Sequence, residues 1–201
     1  MAQSATRPTV FGRPHPRIMI SALHETAHGR SRTARRAGRS DLQAGRLFPM
    51  IALRDARADE LSVLSDLCLR SKAVWGYDAA FIAACRDELT LTPADIASTC
   101  LQVAADRDGP LGVAQLSIGG DEASLLKLFV EPRALRSGIG SALLAWSTAT
   151  ATRLGARRLV IEADPGAVPF YARHGAHPAG HAPSGSIPGR MLPRLVITLA
   201  H

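Results

Sequence analysis

The stretch 101–130 constrains the fold more than any other. It holds three strand-like runs, LQVAA (101–105), LGVAQLSI (111–118) and ASLLKLFV (123–130), separated only by DRDGP and GGDE. Joints that short, rich in Gly, Pro and Asp, read as turns, and strands joined by tight turns pair antiparallel. A three-stranded meander is therefore expected. Directly after it comes EPRALRSGIGSALL (131–144), a proline, two arginines and two glycines leading into an apolar run that reads as a helix to about Gly155.

The flanks complete the pattern. IALR (51–54) reads as a short strand. Asp59 is placed to cap a helix whose Leu61, Leu64, Leu67 and Cys68 recur at helical spacing, running to about Ser71. After the loop KAVWGYD, Asp78 is placed to cap a second helix carrying Phe81, Ile82 and Cys85, and Thr92-Pro93-Ala94-Asp95 marks a further turn or helix start. Beyond the long helix come a buried strand RRLVIEA (157–163), a short helix VPFYARHG (168–175), the loop PSGSIPGR (183–190) and a last strand RLVITLA. Strands and helices in that order predict an α/β (α+β) domain, a mixed central sheet flanked by helices.

Charge divides the chain. Residues 1–49 carry nine arginines against Glu25 and Asp41, a net of +7, whereas residues 50–201 carry fifteen basic and fifteen acidic groups. The first segment lacks hydrophobic periodicity and cannot bury enough apolar surface to offset ordering. It is expected to be a basic, disordered extension. The folded domain is expected over 50–201, with no charge footprint for nucleic acid. IMISAL is too short for a secretory signal, and no run of apolar residues is long enough for a membrane span. Cys68, Cys85 and Cys100 are scattered and odd in number, which fits core positions in a reducing cytoplasm rather than disulfides. His174, His177 and His181 sit at ligand-like intervals but lack neighbouring acids or cysteines, so no metal is expected.

Strand, short loop and helix start gather unpaired backbone N–H groups at one point, an arrangement suited to phosphate. Gly138 and Gly140 would let a ligand approach the backbone, and Arg133 and Arg136 could add charge-assisted bonds. The dinucleotide fingerprint fails at Leu143, and the P-loop fails because Ser141 and Ala142 follow Gly140. From these residues alone a tight strand-to-helix turn and an anion site both remain open.

The wider context carries a resemblance. LLKLFVEPRALRSGIGSALL resembles the acetyl-CoA-binding segment of the GCN5-related N-acetyltransferase (GNAT) superfamily. Downstream, DPGAVPFYARHG resembles that superfamily's second motif. Leu135 departs from the usual Gln or Arg, and Ala176 from the usual Phe. The resemblance covers residues 50–201 and implies an N-acetyltransferase that moves an acetyl group from acetyl-CoA to a primary amine, with a small-molecule acceptor and a homodimer as expectations. It implies that the backbone of Arg136, Ser137, Gly138, Ile139, Gly140 and Ser141 holds the pyrophosphate. Phe129 and Val130 would pair with the pantetheine arm, and an N–H near Val130 would polarise the thioester carbonyl. Tyr171 is the implied general acid.

The general base is open. Glu162 at a strand end is the candidate, Asp164 reads more readily as a turn and helix cap, Glu131 is expected to face solvent, and a water chain could replace all three. For the acceptor, KAVWGYD offers Lys72, Trp75, Tyr77 and Asp78, and PSGSIPGR offers Ser184, Ser186 and Arg190 for a polar acceptor or its carboxylate. A non-catalytic acyl-CoA-binding module and a protein acting through its basic tail are the competing readings.

Overall fold

The computed structural model describes residues 51–200. The expected basic extension and the expected domain start at Met50 lie outside them. One seven-stranded sheet organises the rest, in the order β1-β2-β3-β4-β5-β7-β6. Its strands are β1 (Ala52–Asp55), β2 (Cys100–Asp106), β3 (Gly109–Gly119), β4 (Glu122–Val130), β5 (Arg158–Glu162), β6 (His177–Pro183) and β7 (Met191–Thr198). The expected meander is β2-β3-β4, and every pairing is antiparallel except β4 with β5.

Helices cover both faces. On one lie α1 (Leu61–Ala73), α2 (Ala79–Ala84), α3 (Arg86–Leu89) and α4 (Pro93–Ser98), with Leu64, Leu67 and Cys68 packed on Leu101, Val103 and Val113. Burial pushes the Cys68 thiol up to about 12, which makes it a small apolar core group. On the other face lie α5 (Ile139–Arg153) and α6 (Val168–Arg173). There Leu144 and Tyr171 join Leu125, Leu159 and Ile161, and Ile139 and Leu143 join Ala114 and Val130. Among the described residues no helix is long and apolar enough to cross a membrane.

Local chemistry corrects three expectations. Asp59 does not cap α1: it bonds Arg57 Nε, while the buried carboxylate of Glu60 accepts the Arg57 N–H at 2.9 Å and a paired contact from Arg54. The second helix is broken into α2 and α3 at Cys85, although Asp78 caps it as expected, accepting the Phe81 N–H at 2.8 Å. The stretch HPAGHAP forms β6, a strand not expected from so much Pro and Gly. It lies at the sheet edge with an irregular register between Pro178 and His181, where proline is tolerated.

The decisive feature is the parting of β4 and β5. They pair only from Glu122–Arg158 to Leu125–Ile161. Opposite β3, Gln115 faces Lys127 and Leu116 faces Leu125, so Leu126 is an extra residue in β4. A bulge bends its strand, and β4 continues from Leu126 to Val130 with no strand on that side among the described residues.

Candidate active site

The split between β4 and β5 opens into a cavity of about 1090 Å³. Its wall runs along β4 from Ser124 to Val130, crosses the loop before α5 and the start of that helix at Leu135, Arg136, Gly138, Gly140 and Ser141, and returns along β5 and the loop after it from Val160 to Asp164. Phe170 and Tyr171 of α6 and its C-cap His174 close one side, and Ser71, Lys72, Trp75 and Arg190 close the other.

The loop before α5 presents a row of open backbone donors. After a single turn at Pro132–Ala134, Arg136 takes φ 62°, the one non-glycine residue with positive φ among those described, and Gly138 takes φ 88° at the N-cap. Gly138 is thus required by conformation, since a Cβ there would meet nothing within 4 Å but would be strained. None of the backbone N–H groups from Arg136 to Ser141 finds a partner among the described residues; the first helical bond of α5 is Ala142 N–H to Gly138 O. These amides stand at the N-terminus of a 15-residue helix, where its dipole adds positive potential. Side chains contribute less than their number suggests. Ser137 Oγ donates to Ala134 O at 2.6 Å, Ile139 is buried in the core, and Arg133 is exposed off the cavity wall. Ser141 Oγ meets His174 Nε2 at 2.9 Å, and the other ring nitrogen of His174 contacts Phe170 O.

Along β4 the backbone directions revise the expected pair. Glu131 N–H donates to Leu111 O at 2.8 Å, and by strand alternation Phe129 also turns its polar groups to β3, its carbonyl lying beside Gly112. Leu128 and Val130 turn theirs toward the gap. The residues available to pair with an extended ligand are therefore Leu128 and Val130, and Phe129 contributes only its place in the wall. The Val130 N–H is not idle: it donates to Ser71 Oγ of α1 over a long 3.3 Å.

Three consecutive residues of α1 tie down the mouth of the gap. Arg70 holds Glu131 through two contacts of 3.1 and 2.7 Å, Ser71 holds Val130, and Lys72 Nζ holds Asp164 Oδ2 at 3.0 Å. Glu131, expected to face solvent, is thus taken up in an ion pair with a side chain only 14% exposed.

Asp164 is more than the expected cap. It accepts from Gly166 N–H at 3.2 Å, but also from Lys72, from Tyr77 Oη at 2.9 Å and from Arg190 Nη2 at 3.3 Å. Burial alone would raise its pKa; Lys72, with Tyr77 and the Gly166 amide, outweighs burial and holds the carboxyl below the usual carboxylate range. Sequence reasoning missed this role because its partners lie 92, 87 and 26 residues away. Arg190 also donates to Tyr77 Oη, so Tyr77 supports the wall from behind rather than lining it. The Trp75 ring packs against Gly166, where a Cβ would come to 2.5 Å from it.

Tyr171 is buried yet lines the cavity, and its hydroxyl bonds to nothing among the described residues. Burial raises its pKa, so it stays protonated at neutral pH. Glu162 stands exposed on the rim at the end of β5. Among the described residues no group of three or more His, Cys, Asp or Glu is placed to hold a metal ion.

The model of the acetyltransferase (GNAT) family matches residues 70–176, more than half the chain. The chain belongs to that family. It is an acetyltransferase of the CoA-using GNAT type, and its sheet, loop and gap are this family's fold. Solved structures agree in architecture at low identity. The PaiA N-acetyltransferase from Thermoplasma acidophilum in complex with coenzyme A superposes at TM-score 0.63 and 17% identity, over 74% of this chain and 98% of that one. A GCN5-related N-acetyltransferase from Rhodopseudomonas palustris gives 0.63 and 22%, over 75% and 96%. A GNAT acetyltransferase from Staphylococcus aureus gives 0.61 and 16%, over 75% and 99%. No curated protein matches the sequence.

Proposed function

We propose that this GNAT domain transfers the acetyl group of acetyl-CoA directly to a primary amine of a small molecule, within a ternary complex. One observation carries the reading: a single cavity joins the open amides of the α5 loop, the free edge of β4, the Tyr171 hydroxyl and the acceptor wall at Lys72, Trp75 and Arg190. The amides from Arg136 to Ser141 suit the pyrophosphate, which also resolves the Leu135 departure. The backbone supplies the donors, and an apolar side chain at 135 takes none away. Leu128 and Val130 suit an extended amide-bearing arm, as a strand would pair there.

In the transfer, the amine nitrogen bonds to the thioester carbon and the carbon–sulfur bond breaks. Tyr171 Oη, protonated at neutral pH because burial raises its pKa, gives its proton to the leaving sulfur. The amine loses its proton toward the rim, where Glu162 or water receives it. The Val130 N–H, released from Ser71, is placed to stabilise charge on the carbonyl oxygen. Thiol release from acetyl-CoA with a panel of amines tests the reading. Tight acetyl-CoA binding without release on any amine would favour an acyl-CoA-binding module instead.

A further inference from the structure

Acetyl transfer to a simple amine requires no surplus of positive charge beside the acceptor, yet the wall carries one. Lys72, Tyr77, Asp164 and Arg190 come from three separate segments and form one bonded group. It holds two cations and one carboxylate, with side chains only 14, 17 and 9% exposed for Lys72, Arg190 and Asp164. An uncompensated charge so little exposed is costly unless a ligand neutralises it. Resting on the acetyltransferase reading, we propose that the acceptor carries a carboxylate beside its amine, as an amino acid does, and that Arg190 reads it with Lys72 behind.

Arg190 is prepared for that work. Its Nη2 alone makes the contacts to Tyr77 and Asp164; Nε and Nη1 have no partner among the described residues. Its guanidinium carbon lies 4.9 Å from the Tyr77 ring centre and 4.8 Å from that of Phe81, beside the edges of two rings stacked 4.0 Å apart, and the Nη2 contacts anchor it there. A guanidinium held in place with free N–H groups matches a carboxylate through two parallel bonds. The surplus of one charge fits a carboxylate better than a doubly charged phosphate. Of the other acids in the wall, Asp95 is bonded to Thr92 and Gln115, whereas Glu162 and Glu88 stand exposed on the rim and suit the ammonium of the same acceptor.

The test uses matched acceptors: tyrosine against tyramine, and ornithine against putrescine, each scored by thiol release from acetyl-CoA. The carboxylate-bearing member should show a kcat/KM at least about tenfold higher, the scale of a charge-assisted bond. Arg190→Gln should bring that ratio toward one, and Arg190→Lys, which keeps the charge but not the fork, should preserve part of it. Melting curves establish that both variants fold. Equal or better turnover of tyramine and putrescine, or a ratio unmoved in Arg190→Gln, overturns the inference while leaving the acetyltransferase reading intact. No thiol release with any amine, despite acetyl-CoA binding, overturns both.

Discussion

Lys72 Nζ lies 3.0 Å from Asp164 Oδ2, joining the end of α1 to the loop after β5 across the mouth of the gap. The same carboxylate holds Tyr77 and Arg190, so one substitution should loosen the whole acceptor wall. Asp164→Asn is expected to raise the acceptor KM about tenfold, to leave acetyl-CoA affinity within about twofold and to cost about 2 kcal/mol of stability. Steady-state kinetics with calorimetric unfolding checks all three.

The same carboxylate gives a pH signature. Its folded pKa lies below the usual 3.8. Its contribution to stability is therefore complete above the unfolded value and is lost as pH falls through the folded one. Wild-type stability should fall more steeply than that of Asp164→Asn on acidification below about pH 4, as read by urea unfolding across a pH series.

Tyr171 is buried and its pKa is raised, so its proton remains available throughout the neutral and mildly alkaline range. Tyr171→Phe should lower kcat about a hundredfold with acetyl-CoA affinity nearly unchanged. In the wild type no alkaline limb of kcat should arise from this group below about pH 10. An unchanged rate in Tyr171→Phe removes it from the mechanism.

Gly138 caps α5 at φ 88°. Gly138→Ala should cost about 1 kcal/mol through strain alone. Gly138→Asp adds a like charge beside the pyrophosphate and should weaken acetyl-CoA binding by about a hundredfold or more. Calorimetric titration separates the two effects.

Ser71 holds the Val130 N–H only loosely, at 3.3 Å. If the acetyl oxygen takes Ser71's place, Ser71→Ala should bind acetyl-CoA about three times more tightly and leave CoA, which has no acetyl oxygen, unchanged. Equal effects on both ligands would assign Ser71 to packing.

The sequence revealed what local chemistry decides. The meander, the glycine loop, the long α5 and the Asp78 cap are written in short stretches, and the two motifs pointed to the family. Other features were hidden because they depend on distant partners. Leu126 looks like any strand residue; only the register of β3 against β4 makes it a bulge. Phe129 and Leu128 could not be told apart until Glu131 fixed which way the strand faces. The role of Asp164 follows from contacts with α1, its loop and the start of β7. β6 is held by its pairing with β7 against its own composition.

The parting of β4 and β5 leaves an unpaired strand edge inside the molecule. An exposed edge invites association with other chains; this one lines the cavity and suits an extended arm of the protein's own substrate. Folding and substrate supply are then thermodynamically linked. Acetyl-CoA at a hundred times its dissociation constant would add about 2.7 kcal/mol to the stability of the fold. The melting temperature of this enzyme would then rise with the concentration of that ligand.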